Sequence, residues 1–272
     1  MNAADSTFPA STRPLALVTG ASAGIGRELS LTFADNGFDV VVAAEDARTA
    51  GIAAAVQERG VLALAEQVDL ARPEGVEQLV EAVRRTGRPV AAAAVNAGVG
   101  IGGRFSETDL EDDLQVVDLN VRSSVHLTKL LVRDMVRQGA GRILITASVA
   151  AATPGPFHAV YAASKAFLHS FAEAVRYELE DTGVTVTSLL PGPTDTEFFD
   201  RAQMQDTKVA TGDKDDPAEV ARQGFEALMK GRDSVVAGSL LNRAQVAAGN
   251  VVPDTTGAAV AARMTEPGSG QS

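Results

Sequence analysis

Residues 15–37 read LALVTGASAGIGRELSLTFADNG and decide the predicted fold. Residues 15–18 form a short apolar run typical of a buried strand, and apolar residues then recur at helical spacing to the end of the stretch. Three glycines, Gly20, Gly24 and Gly26, therefore lie between a strand and the start of a helix. Glycine allows close backbone approach, and a helix N-terminus offers unpaired N–H groups. The stretch predicts a turn that binds a pyrophosphate, although its spacing is not G-x-G-x-x-G.

The same turn also matches G-x-S-x-G, the pattern that places a nucleophilic serine between a strand and a helix in serine hydrolases. Ser22 would be that nucleophile, and it would need an acid and then a histidine later in the chain. No histidine follows His169, and only one predicted strand precedes Ser22 to build an oxyanion hole. We therefore favour phosphate binding at this turn.

Apolar stretches and helical patterns alternate along the chain. The further predicted strands are residues 38–44, 61–68, 90–95, 142–147, 184–190 and 234–237. The predicted helices are residues 47–59, 73–85 and 109–137, a helix through Tyr161 to about residue 182, and residues 217–230. Because these strands are apolar throughout, both faces of the sheet should be covered. The predicted fold class is α/β, a doubly wound parallel sheet of about seven strands with helices on both faces.

Three segments fall outside this alternation. Residues 1–13 are polar and are predicted to be a flexible N-terminal extension. Residues 193–215, called the lid segment below, are the longest irregular stretch, and a loop of this length usually covers a functional site. From residue 239 the pattern weakens to an alanine-rich helical stretch and a tail. We predict one domain over residues 14–238 and a C-terminal segment over residues 239–272.

Composition excludes several classes of function. The formal net charge is −11, and no cluster of basic residues marks a nucleic-acid site. The absence of cysteine excludes disulfides, zinc–thiolate sites and cysteine nucleophiles, and we predict no metal site. The N-terminus lacks the pattern of a secretory signal, and the apolar run over residues 90–94 is too short to span a bilayer. We predict a soluble, cytoplasmic protein that binds neither nucleic acid nor membrane.

Residues 148–165, SVAAATPGPFHAVYAASK, carry the candidate chemistry. Tyr161 and Lys165 are one helical turn apart on one face, and Ser148 follows a predicted strand. A free tyrosine has a pKa of about 10, and an ammonium about 4 Å away lowers that pKa by at most about three units. The phenol would then be an efficient general acid–base catalyst, with Ser148 bound to the same substrate oxygen. The alternative is a buried tyrosine beside a solvated lysine, which the pattern alone does not exclude.

Further motifs accompany these residues in a consistent order. The set is Thr19-Gly-Ala-Ser-Ala-Gly-Ile-Gly26, Asn96-Ala97-Gly98, Asn120, Ser148, Tyr161-x-x-x-Lys165 and Pro191-Gly192. Together they resemble the classical short-chain dehydrogenase/reductase family, over residues 15 to about 235. The resemblance implies a single Rossmann-type domain that binds NAD or NADP and interconverts an alcohol with a ketone or aldehyde.

The resemblance also implies a role for each site residue. Tyr161 would exchange a proton with the substrate oxygen, and Lys165 would lower the pKa of Tyr161 and hold the nicotinamide ribose. Ser148 would orient the substrate carbonyl, and Asn120 would hold a water in the proton relay. The implied cofactor-binding set is Gly20, Ser22, Gly24, Ile25, Gly26, Glu45, Asp69 (at the adenine), Leu70, Asn96, Ala97, Gly98, Tyr161, Lys165, Pro191, Gly192 and Thr194 (at the carboxamide).

Several of these positions have a plain structural alternative. Asn120 can bond a neighbouring carbonyl, and Asp69 can cap the helix that follows it. His158 either borders the substrate pocket or is a solvated loop residue. The lid segment has three apolar residues that either close over an apolar substrate or anchor the loop, namely Phe198, Phe199 and Met204.

The choice between NAD and NADP depends on the end of the second predicted strand. A carboxylate there accepts hydrogen bonds from the free ribose hydroxyls of NAD and repels the 2′-phosphate of NADP. The positions that are often basic in NADP-binding relatives are Ala23 and Glu45-Asp46 here, which favours NAD. Ala44 occupies the usual aspartate position, and Arg48 can swing towards the site. The sequence therefore favours NAD but does not exclude NADP as the cofactor.

Two classes of function remain. The favoured one is an oxidoreductase acting on a small-molecule alcohol or carbonyl compound. The alternative is a non-catalytic dinucleotide-binding sensor on the same fold, which need not keep Ser148, Tyr161 and Lys165. An epimerase or dehydratase fits the glycine spacing less well. By the same resemblance, subunits would pair through the helices that carry Asn120 and Tyr161 into a homodimer or homotetramer.

Overall fold

One parallel sheet organises the part of the chain that the structure describes. The structure is a computed structural model, and it describes residue 9, residues 11–249 and residues 251–271. The strands are β1 (Leu15–Thr19), β2 (Asp39–Ala44), β3 (Ala63–Gln67), β4 (Val90–Val95), β5 (Gly141–Thr146), β6 (Val184–Pro191) and β7 (Ser234–Ala237). They pair in parallel in the order β3-β2-β1-β4-β5-β6-β7. The predicted α/β fold with a doubly wound parallel sheet is confirmed.

Helices connect and follow these strands. They are α1 (Gly24–Asp35), α2 (Arg48–Gln57), α3 (Pro73–Arg85), α4 (Leu110–Val116), α5 (Ser123–Gln138), α6 (Ala159–Glu178), α7 (Phe198–Arg201), α8 (Lys208–Thr211), α9 (Pro217–Met229), α10 (Leu240–Gly249) and α11 (Asp254–Thr265). A π-helical turn, Val117–Arg122, joins α4 to α5. Within the described ranges, no helix combines the length and the apolar character that crossing a membrane requires.

The strand side chains alternate between two hydrophobic cores. Leu15 and Leu17 lie in one core, and Ala16 and Val18 lie in the other, because successive side chains of a strand point to opposite faces. Residues of α3, α5 and α6 cover the first face, and residues of α1, α2 and α9 cover the second. Burial on both faces explains why the central strands β1 and β4 are apolar almost throughout, whereas β3 at the edge of the sheet includes Glu66 and Gln67 and is only partly buried.

Three aromatic side chains hold the second face together. Phe33 on α1 packs edge-to-face against Phe38, which precedes β2, and against Phe225 on α9, with 5.2 Å between ring centroids in both pairs. Edge-to-face pairs of this kind contribute about 0.5–1.5 kcal/mol beyond the burial of their surface. The cluster fixes α1, and therefore the turn before it, against the sheet.

The strand order reverses on the two sides of β1. β1 pairs with β2 on one side and with β4 on the other. Chain connections leave the sheet in opposite directions at such a point, which opens a crevice at the carboxyl ends of the strands. The turn after β1 and the loop after β4 both reach this edge.

Several segments differ from their predictions. The predicted helix over residues 109–137 is interrupted by the π-helical turn that carries Asn120, and α6 ends at Glu178, before the predicted end near residue 182. The lid segment contains two single-turn helices, α7 and α8. The predicted N-terminal extension lies mostly outside the described residues, and the predicted domain limits stay a prediction.

Candidate active site

A cavity of about 1040 Å³ follows the carboxyl ends of the strands. The glycine-rich turn after β1, the start of α6 and the lid segment contribute to its walls. The predicted site residues that line it are Gly20, Ser22, Gly24, Ile25, Gly26, Glu45, Asp69, Leu70, Asn96, Ala97, Gly98, Ser148, Tyr161, Lys165, Pro191, Gly192 and Thr194. Asn120 does not line the cavity and is completely buried behind its wall.

The glycine-rich turn joins β1 to α1 in this cavity. Gly20 has a φ of +65°, which glycine adopts without strain. Gly26 lies inside α1, where an added Cβ would be 2.1 Å from the carbonyl oxygen of Gly20. Ala23 precedes α1, and no side chain at that position caps the helix. The first N–H groups of α1 are therefore placed to bind an anion.

Hydrogen bonds tie this turn to the loops after β4 and β5. Thr19 Oγ1 accepts from the backbone N–H groups of Asn96 and Ala97, at 3.0 and 3.1 Å. The Asn96 side chain donates to the Thr19 carbonyl at 3.2 Å and accepts from Thr146 Oγ1 at 3.0 Å. Asn96 thus connects the ends of β1, β4 and β5, which fixes the floor of the cavity.

Tyr161, Lys165 and Ser148 meet on one wall of the cavity. Lys165 Nζ lies 5.7 Å from the centroid of the Tyr161 ring and donates to the Thr146 carbonyl at 2.8 Å. The Ser148 hydroxyl lies beside the Tyr161 phenol and acts to lower its pKa. Ser148 Oγ also accepts from the N–H of Ala150 at 3.1 Å, which holds the serine side chain in place. The sequence prediction placed these three side chains together, and the structure does the same.

Burial dominates the acid–base properties of this group. It raises the pKa of Tyr161 to about 12, against the opposite effect of the hydrogen bond with Ser148. It also lowers the pKa of Lys165 to about 8. The sequence analysis expected the ammonium to lower the pKa of Tyr161. In the structure the loss of hydration of the phenol raises that pKa instead, because removal from water disfavours the phenolate.

The structural alternative for Asn120 is observed, and the one for Asp69 is not. Asn120 Oδ1 accepts from the Val99 N–H, and its amide donates to the Val99 carbonyl and to Ser164 Oγ, each at 2.9 Å. Asp69 does not cap α3, which begins at Pro73; its Oδ1 accepts from the N–H of Ala71 at 2.9 Å within the preceding loop, and Asp69 also lines the cavity. Asn120 therefore ties the loop after β4 to α6 from within a π-helical turn, an irregularity common at functional sites.

His158 is a buried residue of the cavity wall and not a solvated loop residue. Its side chain is 8% exposed, and its ring centroid lies 5.9 Å from that of Tyr161. Burial lowers the pKa of His158. The preceding residue, Phe157, has a φ of +61°, and this unusual conformation is held by the Gly103 N–H, which donates to the Phe157 carbonyl at 2.8 Å.

The lid segment packs over Tyr161. The Phe198 ring centroid lies 5.0 Å from that of Tyr161, so Phe198 closes the cavity above the phenol. Phe199 and Met204 are buried in an apolar cluster within the lid segment, and both also line the cavity. The two interpretations offered for these residues therefore apply together, since the cluster anchors the loop and presents an apolar surface to the cavity.

The C-terminal helices supply cavity residues that the sequence analysis missed. The lining includes Leu241, Gln245, Val252, Val260 and Met264. Thr265 Oγ1 donates to the Pro156 carbonyl at 2.8 Å, which ties α11 to the loop before α6. Val260 and Met264 are four residues apart and therefore share one face of a helix. The sequence shows this spacing, but no neighbouring residue indicates which part of the fold that face contacts.

Comparison with known proteins identifies the family. The family model described as short chain dehydrogenase matches residues 14–207. The chain belongs to the short-chain dehydrogenase family. It is 30% identical over 218 residues to the protein named "Uncharacterized oxidoreductase SSP0419" of Staphylococcus saprophyticus, an alignment that covers 79% of this chain and 91% of that protein. The resemblance stated from the motifs is confirmed.

Two solved dehydrogenases are similar in fold. A short-chain dehydrogenase from Sphingobium yanoikuyae in complex with NADPH has a TM-score of 0.76 and 28% identity, covering 82% of this chain and 87% of that one. A short chain dehydrogenase/reductase from Burkholderia phymatum in complex with NAD has a TM-score of 0.75 and 25% identity, covering 85% and 89%. The chain is thus an oxidoreductase of a family whose fold binds a nicotinamide dinucleotide.

The cavity of this dehydrogenase fits a dinucleotide. Gly26 lets α1 pack closely on the turn, since an added Cβ would lie 2.1 Å from the Gly20 carbonyl oxygen, and the N-terminus of α1 suits a pyrophosphate. Gly98 lies beside the wall that holds Lys165, where an added Cβ would be 3.1 Å from Asn120 Oδ1 and 3.3 Å from Lys165 Nζ. The cavity therefore extends from the glycine-rich turn after β1 to the wall that holds Ser148, Tyr161 and Lys165.

The stability of the protein should depend on pH through Lys165. Its pKa is about 8 in the folded protein, against 10.5 when unperturbed, so the unfolded chain binds more protons between these values and stability rises with pH. Compared with Lys165→Met, the wild type should gain about 2 kcal/mol in free energy of unfolding from pH 7 to pH 10. Urea unfolding of both proteins across this range measures the difference, and parallel pH profiles would contradict the prediction.

Proposed function

We propose that the protein interconverts an alcohol with a ketone or aldehyde, and that Tyr161 is the general acid–base catalyst. The supporting observation is the Tyr161 phenol beside the Ser148 hydroxyl and the Lys165 amine, on the wall of a cavity that also contains the glycine-rich turn. The bound dinucleotide supplies the hydride in reduction and accepts it in oxidation. The residues of the chain bind the substrate oxygen and move its proton.

In reduction, the Tyr161 phenol donates its proton to the carbonyl oxygen as negative charge develops there. A phenol with a pKa of about 12 keeps that proton at neutral pH, so the acid form needed for reduction predominates. Ser148 donates a hydrogen bond to the same oxygen, and Lys165 in its protonated form stabilises the phenolate left behind. Asn120, whose side chain binds Val99 and Ser164, would hold the loop after β4 against α6 and so position this wall of the cavity. Oxidation of an alcohol uses the reverse transfers.

The test of this function is the formation of reduced dinucleotide across a panel of secondary alcohols. The apolar surface from Phe198, Phe199 and Met204 supports an apolar small-molecule substrate. Turnover of at least one alcohol is expected. Tight dinucleotide binding without turnover of any alcohol or ketone would support the non-catalytic sensor instead.

The proposal includes a preference for NAD. Glu45 lines the cavity and Asp46 follows it at the end of β2, and these carboxylates repel a 2′-phosphate. NAD should therefore raise the thermal unfolding temperature at a lower concentration than NADP, because a ligand that binds only the folded state stabilises it according to its affinity. A thermal shift titration with both dinucleotides measures this, and the reverse order would overturn the preference.

The proposal also includes pairing of subunits through α5 and α6, and a cytoplasmic location. Both helices carry exposed apolar or aromatic side chains that a subunit contact would cover, namely Val136, Phe167 and Tyr177. The formal charge of −11 supports a protein with no nucleic-acid partner.

A further inference from the structure

The lid segment reaches across the cavity to the phosphate-binding turn. An added Cβ at Gly24 would lie 2.8 Å from Thr196 Cγ2, so Thr196 packs directly on the turn. Glu197 follows it and also lines the cavity. This part of the lid segment therefore lies beside the end of the cavity where β2 ends.

Arg48, at the start of α2, joins that end of the sheet to the lid segment. Its Nη1 donates to both carboxylate oxygens of Glu197, at 2.8 and 3.1 Å. Its Nη2 and Nε donate to the carboxylate of Asp46, at 2.9 and 3.2 Å. The guanidinium of Arg48 therefore binds two carboxylates that are far apart in the sequence, those of Asp46 and Glu197.

The surrounding charges favour this arrangement at neutral pH. The hydrogen bond from Arg48 lowers the pKa of Asp46 to about 2, and hydrogen bonds from Arg48 and Arg201 lower the pKa of Glu197. Both carboxylates are therefore ionised at neutral pH. Arg48 and Glu197 are about half exposed, and exposed ion pairs add little to the free energy of unfolding. Removing this pair should therefore affect the choice of ligand more than it affects folding.

We propose that Glu197 determines the cofactor preference by holding Arg48, which would otherwise bind the 2′-phosphate of NADP. Guanidinium groups bind phosphate through two parallel hydrogen bonds, and Arg48 lies two residues after the carboxylates that face the adenosine ribose in the proposed function. With its donors engaged by Asp46 and Glu197, Arg48 does not offer that contact. This inference rests on the proposed function and assigns the selectivity to a residue of the lid segment.

The experiment compares the affinities of NAD and NADP by isothermal titration calorimetry. Glu197→Ala should bind NADP about tenfold more tightly than the wild type, the gain expected from one hydrogen bond to a charged group. Its affinity for NAD should change less than about threefold, since NAD has no 2′-phosphate. In the double variant Arg48→Gln with Glu197→Ala, the gain should disappear relative to Arg48→Gln alone.

A matched control separates this effect from a change in net charge. Glu219 is an exposed carboxylate on α9 that binds Arg222 through two hydrogen bonds, at 2.6 and 2.8 Å, and it does not line the cavity. Glu219→Ala removes the same charge and should leave the ratio of NADP to NAD affinity unchanged.

Three results would overturn the inference. One is an unchanged affinity ratio in Glu197→Ala. Another is an equal gain with and without Arg48, because Glu197 would then act by repulsion or through Arg201 and not through Arg48. The third is the absence of dinucleotide binding in every variant, which would also remove the proposed function. An unchanged ratio with intact binding and turnover would remove this inference alone.

Discussion

Replacing Tyr161 with phenylalanine is expected to reduce turnover by about 10²–10⁴-fold, the usual contribution of a positioned general acid–base group. The substitution removes the phenol oxygen while the ring, which packs 5.0 Å from Phe198, keeps its place. Binding of the dinucleotide should persist, because the phosphate-binding turn lies elsewhere in the cavity. Steady-state rates with the best alcohol of the panel, together with calorimetry of dinucleotide binding, measure the two effects separately.

Tyr177→Phe is the matched control for this substitution. Tyr177 lies on the same helix, α6, and its side chain is 74% exposed. Loss of its hydroxyl should leave turnover at the wild-type level. If Tyr161→Phe turned over as fast as the wild type, the assignment of Tyr161 as the proton donor would be wrong.

The sheet could be predicted because each strand is marked by a sequence pattern that spans only a few neighbouring residues. Buried parallel strands are apolar on both faces, so the central strands appear as short apolar runs between helical patterns. β1 and the turn after it illustrate this, since residues 15–18 and the glycines that follow define a strand, a turn and a helix within one short stretch. The parallel topology then brings the ends of neighbouring strands to one edge, which is why the predicted site residues share a cavity.

Properties that depend on tertiary contacts could not be predicted from local sequence patterns. The elevated pKa of Tyr161 follows from its burial beneath the lid segment, and the i, i+4 spacing with Lys165 contains no information about that burial. The ion pair between Arg48 and Glu197 joins residues separated by 149 positions. The part of the cavity wall formed by α10 and α11 depends on where a weakly patterned segment docks.

Gly26→Ala is expected to weaken both folding and dinucleotide binding. The new Cβ would lie 2.1 Å from the Gly20 carbonyl oxygen and 2.6 Å from Asn96 Nδ2, so α1 and the turn must move apart. Overpacking of this kind commonly lowers the free energy of unfolding by about 1–3 kcal/mol. Displacement of the turn also disturbs the hydrogen bond between Asn96 and Thr19, and NAD affinity should fall by about tenfold or more.

Gly51→Ala isolates the steric cause of that loss. Gly51 is an exposed residue inside α2, and an added Cβ there meets no atom within 4 Å. Because alanine is the better helix former, this variant should be more stable by up to about 1 kcal/mol and should bind NAD like the wild type. Urea unfolding and calorimetry of both variants provide the comparison. Normal NAD affinity in Gly26→Ala would mean that the α1 turn does not hold the pyrophosphate, because a turn displaced by the new methyl group could not bind it unchanged.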